Sequence, residues 1–523
     1  MKTKCVFNAL VALSLSFTAM VTGCSSSEKQ STTGSEQQVK TNGNGGTLVV
    51  VRSADANNLD PHFLTTIVSG SIVNNKIYEG LVRLSKDMTY QPALATEWKQ
   101  LSDVIWEFKL RQGVTFHDGS PFNADAVVKT FERILDKNVG ATRAQAFEMV
   151  KEVKPIDDFT IQFILKRPFA PFFTVLAGSE GSILSPKAVE QYGKELTKHP
   201  TGTGPFTFQS WLPGQEIVLV RNETYWGEQA KVDKVVFKVI PEDATRIAMV
   251  ESGEAHVAEQ LPVSEINRVQ SSKVMGLGSY DSFGVDYIGF NFRKKPFDDV
   301  RVRQAISHAI DSGAIIQGIF NGIGTPANTS LAPTVFGYDP QVKLYSYDLN
   351  KARLLLKEAG YPDGFQASIY TSDNKLRISM AEVIQSQLKG IGIDLQVQVM
   401  EIGAYVAAAS KGETEMFISN WGASADGDYT QYNLFHSRSQ GSPGNHFFYS
   451  NPQVDQLIDG ARSEVASEKR KQLYAKAQQL EMEDAVMIPI RNSVNLAAIS
   501  SHAKGIWISP NGHIQVNEAV ITP

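Results

Sequence analysis

Cysteine is almost absent from this chain of 523 residues, which contains only Cys5 and Cys24. Cys5 lies at the start of the chain, just before a long apolar run, and Cys24 follows that run closely. Because both stand before the main body of the sequence, that body has no thiol for a disulfide, a cysteine-ligated metal or thiol catalysis. We therefore expect the folded body to be stabilised by packing alone.

Catalytic motifs are absent as well. The sequence has no Gly-x-Ser-x-Gly turn, no His-Glu-x-x-His pair, no phosphate-binding loop and no Gly-x-Gly-x-x-Gly fingerprint. His436 and His446 flank a loop rich in Gly and Ser, but no carboxylate or cysteine stands at a ligand-like spacing from either in the sequence. We expect no enzyme activity, no metal centre and no cofactor.

An excess of positive charge is also missing. The chain has 50 Lys and Arg against 55 Asp and Glu, which gives a formal net charge of -5 at pH 7. Proteins that bind polyanions carry the opposite balance, because they must attract phosphate groups. We therefore expect no nucleic-acid partner.

Long hydrophobic runs are limited to Phe7 to Ala19, which is shorter than the ~20 apolar residues needed to span a bilayer. Two lysines precede it, and Val21-Thr22-Gly23-Cys24 follows, a segment similar to a bacterial lipobox. This order is typical of a secretory signal peptide. We expect residues 1–23 to be removed and Cys24 to carry a lipid that holds the protein on the outer face of the cell membrane. The alternative is an unmodified cysteine.

Residues 24–45 are rich in Ser, Thr, Gly, Gln and Asn and have almost no apolar side chains to pack. This composition predicts a flexible tether, with a coil dimension of roughly 25 Å for about twenty residues. Such a tether suits the surface of a Gram-positive cell, but it does not exclude a Gram-negative envelope.

Strands and helices alternate from Thr47 onward. The apolar run Leu48 to Val51 predicts a buried strand. A predicted helix from about Arg377 to Gly390 leads directly into a predicted strand at 394–400, and Asn451-Pro452 has the sequence of a helix start. This alternation predicts an α/β architecture.

Eight segments between Thr47 and about Trp507 carry a more specific pattern. They are Leu59-Asp60-Pro61-His62, Tyr78-Glu79-Gly80-Leu81, Pro92 to Trp98, Trp106 to Gly119, Thr201-Gly202-Thr203-Gly204-Pro205-Phe206, Tyr287-Ile288-Gly289-Phe290-Asn291, Val300 to Ile306, and Ile488-Pro489-Ile490. Together they resemble landmarks of the family 5 extracellular solute-binding proteins of ABC transporters, and within that family the glutathione- and dipeptide-binding branch.

The resemblance implies a two-lobed, periplasmic-binding-protein-like α/β fold with three domains and a hinged ligand cleft. It places domain I at 46–83, 200–286 and 498–523, domain II at 84–199 and domain III at 287–497. It also implies a monomer whose lobes close on a ligand and present it to the permease subunits of an ABC importer.

The resemblance also implies where the ligand binds. In peptide-binding members, the strand and loop matching Met416 to Tyr429 hold a tryptophan and then an aspartate that pairs with the ligand's α-ammonium. Here Trp421 is followed by Asp426 and Asp428, and Asp426 is our first choice. A buried carboxylate makes strong, charge-assisted hydrogen bonds to an ammonium. The alternative is that both aspartates cap a turn around Gly427.

Further ligand contacts follow from the same resemblance. Arg377 is the candidate for the ligand's carboxylate, since its planar guanidinium suits that group, although a helical arginine is more often simply exposed. The remaining candidates are neighbours of the cleft in relatives: Asn420 and Gly422 as hydrogen-bonding neighbours of the peptide, Ser69 and Gly70 as a lining loop, and Tyr405 with Trp421 as walls.

These residues favour a lipid-anchored receptor for a short peptide, with glutathione as a specific candidate. Glutathione has one ammonium and two carboxylates, so a second cation besides Arg377 is expected, and the sequence does not identify it. Within the family the alternative is a nickel-chelate or haem binder. An exported hydrolase is a different class, which the missing catalytic motifs disfavour.

Overall fold

β-Branched apolar runs form the central strands, as predicted for Leu48 to Val51, in which Leu48, Val50 and Val51 are fully buried. This computed structural model describes residues 45–422, 424–442 and 444–522. The predicted signal peptide, Cys24 and the tether up to residue 44 lie outside the described residues, so their roles stay predictions.

Twenty-one strands lie in the part of the chain that the structure describes. In chain order they are β1 Thr47–Arg52, β2 Val82–Leu84, β3 Tyr90–Pro92, β4 Ala95–Ser102, β5 Ile105–Leu110, β6 Val150–Asp157, β7 Thr160–Leu165, β8 Phe206–Leu212, β9 Glu216–Arg221, β10 Lys234–Val239, β11 Val257–Glu259, β12 Met275–Phe290, β13 Thr325–Pro326, β14 Phe365–Ser372, β15 Ile393–Met400, β16 Met416–Trp421, β17 Met487–Ser500, β18 Ala503–Lys504, β19 Trp507–Ile508, β20 Ile514–Gln515 and β21 Val520–Ile521.

The α-helices of the same ranges are α1 Ile67–Val73, α2 Ala124–Leu135, α3 Phe172–Leu176, α4 Pro186–Tyr192, α5 Asp243–Ser252, α6 Ile266–Gln270, α7 Val300–Ala309, α8 Ser312–Phe320, α9 Leu349–Glu358, α10 Lys375–Lys389, α11 Ile402–Lys411, α12 Gly427–Phe435, α13 Pro452–Ser463 and α14 Ser467–Glu483. Short 3-10 helices lie at Pro61–Phe63, Ala144–Phe147, Ser179–Gly181, Gly193–Lys198, Val263–Glu265 and Ser437–Ser439. In these described residues no helix is long and apolar enough to cross a membrane.

The largest sheet has eleven strands in the order β15-β14-β16-β12-β17-β11-β1-β10-β9-β8, with β13 added beside β17. The long strands β12 and β17 pair antiparallel along most of their length and join the two ends of this sheet. β1 lies parallel to β10 and β11, and β14 lies parallel to β15 and β16. Leu48 and Val51 of β1 belong to different apolar clusters, so the sheet is covered on both faces.

A second, antiparallel sheet of four strands, in the order β4-β5-β7-β6, has a core of its own. Phenylalanine rings fill that core: Phe163 packs edge-on against Phe108, Phe131 and Phe172 at centroid distances of 5.5, 4.8 and 5.2 Å. This core is built from residues 81–183. All of it except Leu81 and Val82 lies in the predicted domain II, and the boundaries of the three domains stay predictions.

Local signals in the sequence placed several elements well. The predicted helix and strand at 377–400 are α10 and β15, which begin two and one residues earlier than expected. Asn451 caps α13 by accepting a hydrogen bond from the backbone N–H of Gln453 at 3.0 Å, and Pro452 is the first helical residue. These predictions are confirmed because caps and periodicity depend on neighbouring residues alone.

Candidate functional site

A cavity of about 760 Å³ lies between the four-stranded-sheet region and the large sheet. This volume falls within the usual range of small-molecule sites. The large-sheet side contributes residues from the middle of β12 and β17, from the end of β16, from the first turns of α12 and from the hairpin of β19 and β20. The other side contributes the hairpin of β2 and β3, residues 142–148, and residues 169–180. The two sides meet where the backbone N–H of Ala170 donates to the carbonyl of Arg462 at 2.8 Å.

Asp426 lines the cavity, but its carboxylate already has a cationic partner inside the protein. Arg470 binds it with both guanidinium nitrogens, Nη1 to Oδ2 at 2.9 Å and Nη2 to Oδ1 at 2.7 Å. Asp426 also caps α12, because Oδ1 accepts from the backbone N–H of Asp428 at 2.9 Å. The capping alternative is therefore confirmed for Asp426, and its role as an ammonium ligand stays a prediction.

Asp428 also lines the cavity and is buried beside Arg462, whose Nε lies 2.9 Å from Oδ1. The guanidinium of Arg462 stacks over the ring of Tyr432 at 3.8 Å. Burial raises the pKa of Asp428 to about 6, although Arg462 opposes the rise. Removal of the carboxylate from water therefore outweighs the attraction of Arg462 in setting the direction of this pKa shift. Its role as an ammonium ligand likewise stays a prediction.

Arg377 and Tyr405 stand elsewhere. Arg377 lies in the first turn of α10 and does not line this cavity; its Nη1 lies 3.4 Å from Ser372 Oγ. Tyr405 is buried in an aromatic cluster and donates its hydroxyl to the carbonyl of Ile418 at 2.8 Å. The position of neither residue supports the ligand contact that the resemblance implied, and a buried aromatic beside a strand is ordinary core.

Trp421 contributes indirectly. It does not line the cavity, but its ring stacks on Tyr429, with centroids 5.6 Å apart and planes 17° apart, and Tyr429 does line the cavity. Tyr429 is 42% exposed and Ile67, which also lines the cavity, is 58% exposed. Both side chains gain free energy when a ligand covers their apolar surface.

The remaining predicted residues surround the same space. Asn420 lines the cavity, and its side-chain amide donates to Oδ1 of Asp286 at 2.8 Å. Asp286 in turn forms an ion pair with Arg491. Gly422 lines the cavity at a φ of +142°, and a Cβ there would lie 1.9 Å from the carbonyl oxygen of Phe283. The chain can therefore turn from β16 into the cavity only at a glycine.

The predicted lining loop of the first domain is a helix, since Ser69 and Gly70 both lie in α1; Gly70 lines the cavity and Ser69 does not. Ser69 is fully buried and accepts from the backbone N–H of Asn57 at 3.0 Å, so it ties α1 to the preceding segment. A Cβ on Gly70 would lie 2.7 Å from Nε2 of His513. Burial lowers the pKa of His513 to about 3, so this cavity-lining imidazole is neutral at pH 7.

Sequence reasoning missed Arg143 and Glu180, which line the cavity from the side of the four-stranded sheet. Neither residue belongs to a landmark segment, and their neighbourhood depends on packing between segments 37 residues apart in sequence. It also missed Arg462 and Arg470, the partners of the two aspartates. No local sequence signal identifies such pairs.

Carboxylates that the sequence spacing did not indicate lie beside His436. α13 brings Asp455 and Asp459 to the imidazole, at 3.7 Å from Nδ1 and 3.5 Å from Nε2. Their separation in sequence hid this contact. His446 stands apart and its Nε2 lies 3.2 Å from Ser410 Oγ. Within the described ranges no group of three or more His, Cys, Asp and Glu side chains is arranged to hold a metal ion.

Comparison with known proteins places this geometry in a family. Residues 89–442 match the model of the bacterial extracellular solute-binding proteins, family 5, middle region. The glutathione-binding protein GsiB of Escherichia coli strain K12 is 32% identical over 484 residues, which cover 90% of this chain and 94% of GsiB. GsiB of Shigella flexneri has the same identity and coverage.

Solved structures agree in fold. DppA of Helicobacter pylori in complex with the peptide STSA superposes with a TM-score of 0.78 at 33% identity, covering 92% of this chain and 99% of DppA. HbpA2 of Haemophilus parasuis gives a TM-score of 0.83 at 28% identity, covering 91% and 100%. The predicted periplasmic-binding-protein-like α/β fold is confirmed. This chain belongs to the family 5 bacterial extracellular solute-binding proteins, the substrate-binding components of ABC importers.

Proposed function

We propose that this protein captures glutathione or another short peptide in the 760 Å³ cavity and delivers it to the permease of an ABC importer. The observation that carries the proposal is a concave site of peptide size that combines charged side chains with exposed apolar ones. The names of relatives support the ligand class, since GsiB is a glutathione-binding protein and DppA of Helicobacter pylori holds a tetrapeptide. Binding and release are the whole activity, with no chemical step.

A lipid on Cys24 would keep the receptor at the outer face of the cell membrane, within reach of the permease. Support for this part of the proposal comes from the sequence alone, from the lipobox-like segment and the polar tether that follows it. The folded body then acts as a monomer, and closure over the ligand supplies the surface that the permease recognises.

Thermal melting of residues 25–523, stripped of any bound ligand by unfolding and refolding, tests the proposal. The panel contains glutathione, di- to pentapeptides, nickel with free histidine, and haem. A ligand that binds only the native state adds RT ln(1 + [L]/Kd), ~2.7 kcal/mol at a hundredfold excess over Kd. We expect glutathione or a short peptide to raise the melting temperature.

Two tryptophan variants locate the binding. Ala177 lines the cavity, so Ala177→Trp should fill part of it and abolish the ligand-induced shift. Ala404 is exposed on α11 outside the cavity, so Ala404→Trp is the matched control and should keep the shift. A shift with nickel-histidine or haem alone would contradict the peptide assignment, and silence across the panel would contradict the proposal as a whole.

A further inference from the structure

Two acidic side chains of the cavity already have a cationic partner inside the protein. Asp426 is paired with Arg470, and Asp428 is paired with Arg462. Because His513 is neutral at pH 7, the cations among the described lining residues are Arg143 and Arg462. A charge that is paired inside the protein offers little to a ligand, since the ligand would have to replace a partner that is already in place.

Arg143 is different because its guanidinium is only loosely paired. Its nearest carboxylate is Glu180, with Nη2 and Oε2 3.6 Å apart, which is too long for a hydrogen bond. The side chain of Arg143 is 45% exposed, while that of Glu180 is 16% exposed. In the described ranges the guanidinium of Arg143 has no other ion-pair partner.

The backbone beneath this loose pair is held firmly. The N–H of Arg143 donates to the carbonyl of His62 at 3.2 Å, and His62 Nδ1 contacts Arg133, which also binds Asp60. Asp60 and His62 belong to a family landmark, so that landmark positions Arg143. Such an arrangement leaves the guanidinium free to turn toward a ligand without moving the chain.

Glu180 is fixed by a tight turn. It lies in the 3-10 helix Ser179–Gly181, where a Cβ on Gly181 would approach the carbonyl oxygen of Leu176 to 2.3 Å. Its carboxylate folds back over Gly178, where a Cβ would lie 2.8 Å from Oε2. Gly178 and Gly181 therefore allow the tight turn that places the Glu180 carboxylate at the cavity wall.

Tyr429 faces the pair from the opposite wall. Burial raises the pKa of Tyr429, and beyond burial Arg143 lowers it while Glu180 raises it, so both charges act on the phenol. With Trp421 stacked behind it, Tyr429 offers a flat apolar surface next to an adjacent cation and anion. A ligand anchored at the pair would extend its body over this ring.

We infer that Arg143 and Glu180 form a subsite for an α-amino-acid head group, in which Glu180 binds the ammonium and Arg143 the carboxylate. The charged groups of Arg143 and Glu180 are about as close together as the ammonium and the carboxylate of an α-amino acid, which are both attached to the α-carbon. An α-linked peptide separates its terminal ammonium and its terminal carboxylate by its whole length, and it has no free carboxylate on the carbon that carries the ammonium. A γ-glutamyl peptide keeps both on one carbon and still has an amide chain to lie over Tyr429. This inference rests on the proposed function and specifies γ-glutamyl peptides as the ligand class.

Isothermal titration with two isomers tests the inference, namely γ-Glu-Cys-Gly, which is glutathione, and α-Glu-Cys-Gly. The wild-type protein should bind the γ-linked isomer at least about tenfold more tightly, because only that isomer presents an ammonium and a carboxylate on one carbon to the pair. Arg143→Gln and Glu180→Gln should each weaken glutathione by about tenfold or more and affect the α-linked isomer much less. The exposed Arg438 does not line the cavity, so Arg438→Gln should change neither affinity.

The outcomes separate the inference from the proposed function. Equal affinities of the wild type for the two isomers, or an equal loss of both in Arg143→Gln, would overturn the subsite while peptide binding itself stands. Absence of binding to both isomers and to every peptide of the panel would overturn both. If Arg143→Gln does not fold, Glu180→Gln decides by the same criterion.

Discussion

Replacing Arg470 with methionine is expected to lower the free energy of unfolding by about 3–5 kcal/mol. Methionine keeps much of the volume of the side chain but removes the charge that both oxygens of Asp426 bind. Asp426 and Arg470 are each less than a tenth exposed, so the remaining carboxylate would be buried without a counter-charge. Urea denaturation monitored by circular dichroism measures the change as a lower midpoint.

A second substitution and a control make this result specific. Adding Asp426→Asn to Arg470→Met removes the uncompensated charge, so the double variant should be more stable than Arg470→Met alone. Lys471 pairs with Glu468 on the solvent side of α14, where the two side chains are 51% and 80% exposed. Lys471→Met should change stability by less than about 1 kcal/mol. A small loss in Arg470→Met would show that the Asp426 carboxylate is not committed to the protein interior.

Replacing Gly202 with alanine is the other large effect, with an expected loss of at least about 3 kcal/mol, the upper part of the range for overpacked sites. A Cβ at this position would lie 2.0 Å from the carbonyl oxygen of Ile77. The obstacle is backbone, and it is held by a hydrogen bond of 3.0 Å from the N–H of Gly204. Gly202 itself accepts from the N–H of His117 at 2.9 Å, so it cannot move away freely.

Gly276 supplies the matched control for Gly202. It lies in the exposed first half of β12, and a Cβ there would meet nothing within 4 Å. Gly276→Ala should therefore change the unfolding free energy by less than about 0.5 kcal/mol in the same urea experiment. Similar losses of unfolding free energy in the two variants would mean that the close approach of the Ile77 carbonyl does not require a glycine at position 202.

The sequence predicted the parts of the fold that depend on neighbouring residues. The cap at Asn451, the helix and strand at 377–400 and the buried run at Leu48 are such cases. The pairing of β12 with β17, which joins residues about 200 positions apart, has no local signal. The class of fold was predicted nonetheless, because landmark segments carry information about the whole chain that periodicity does not.

The site was predicted less completely. Asp426, Asp428, Asn420, Gly422 and Gly70 line the cavity, and their contacts with a ligand stay predictions. From the sequence we interpreted the two aspartates as free carboxylates. Their partners Arg462 and Arg470 lie on helices that follow later in the chain, so no local pattern indicated the pairing. Charge pairing across elements depends on packing, and so does the approach of Arg143 to Glu180, which neither motif nor spacing indicates.

A crystal structure of the refolded, ligand-free protein mixed with saturating glutathione would locate the ligand. We expect peptide density inside the cavity, with one end between Arg143 and Glu180 and the chain running over Tyr429. Density at another surface, or an empty cavity under conditions in which calorimetry shows bound glutathione, would contradict this expectation.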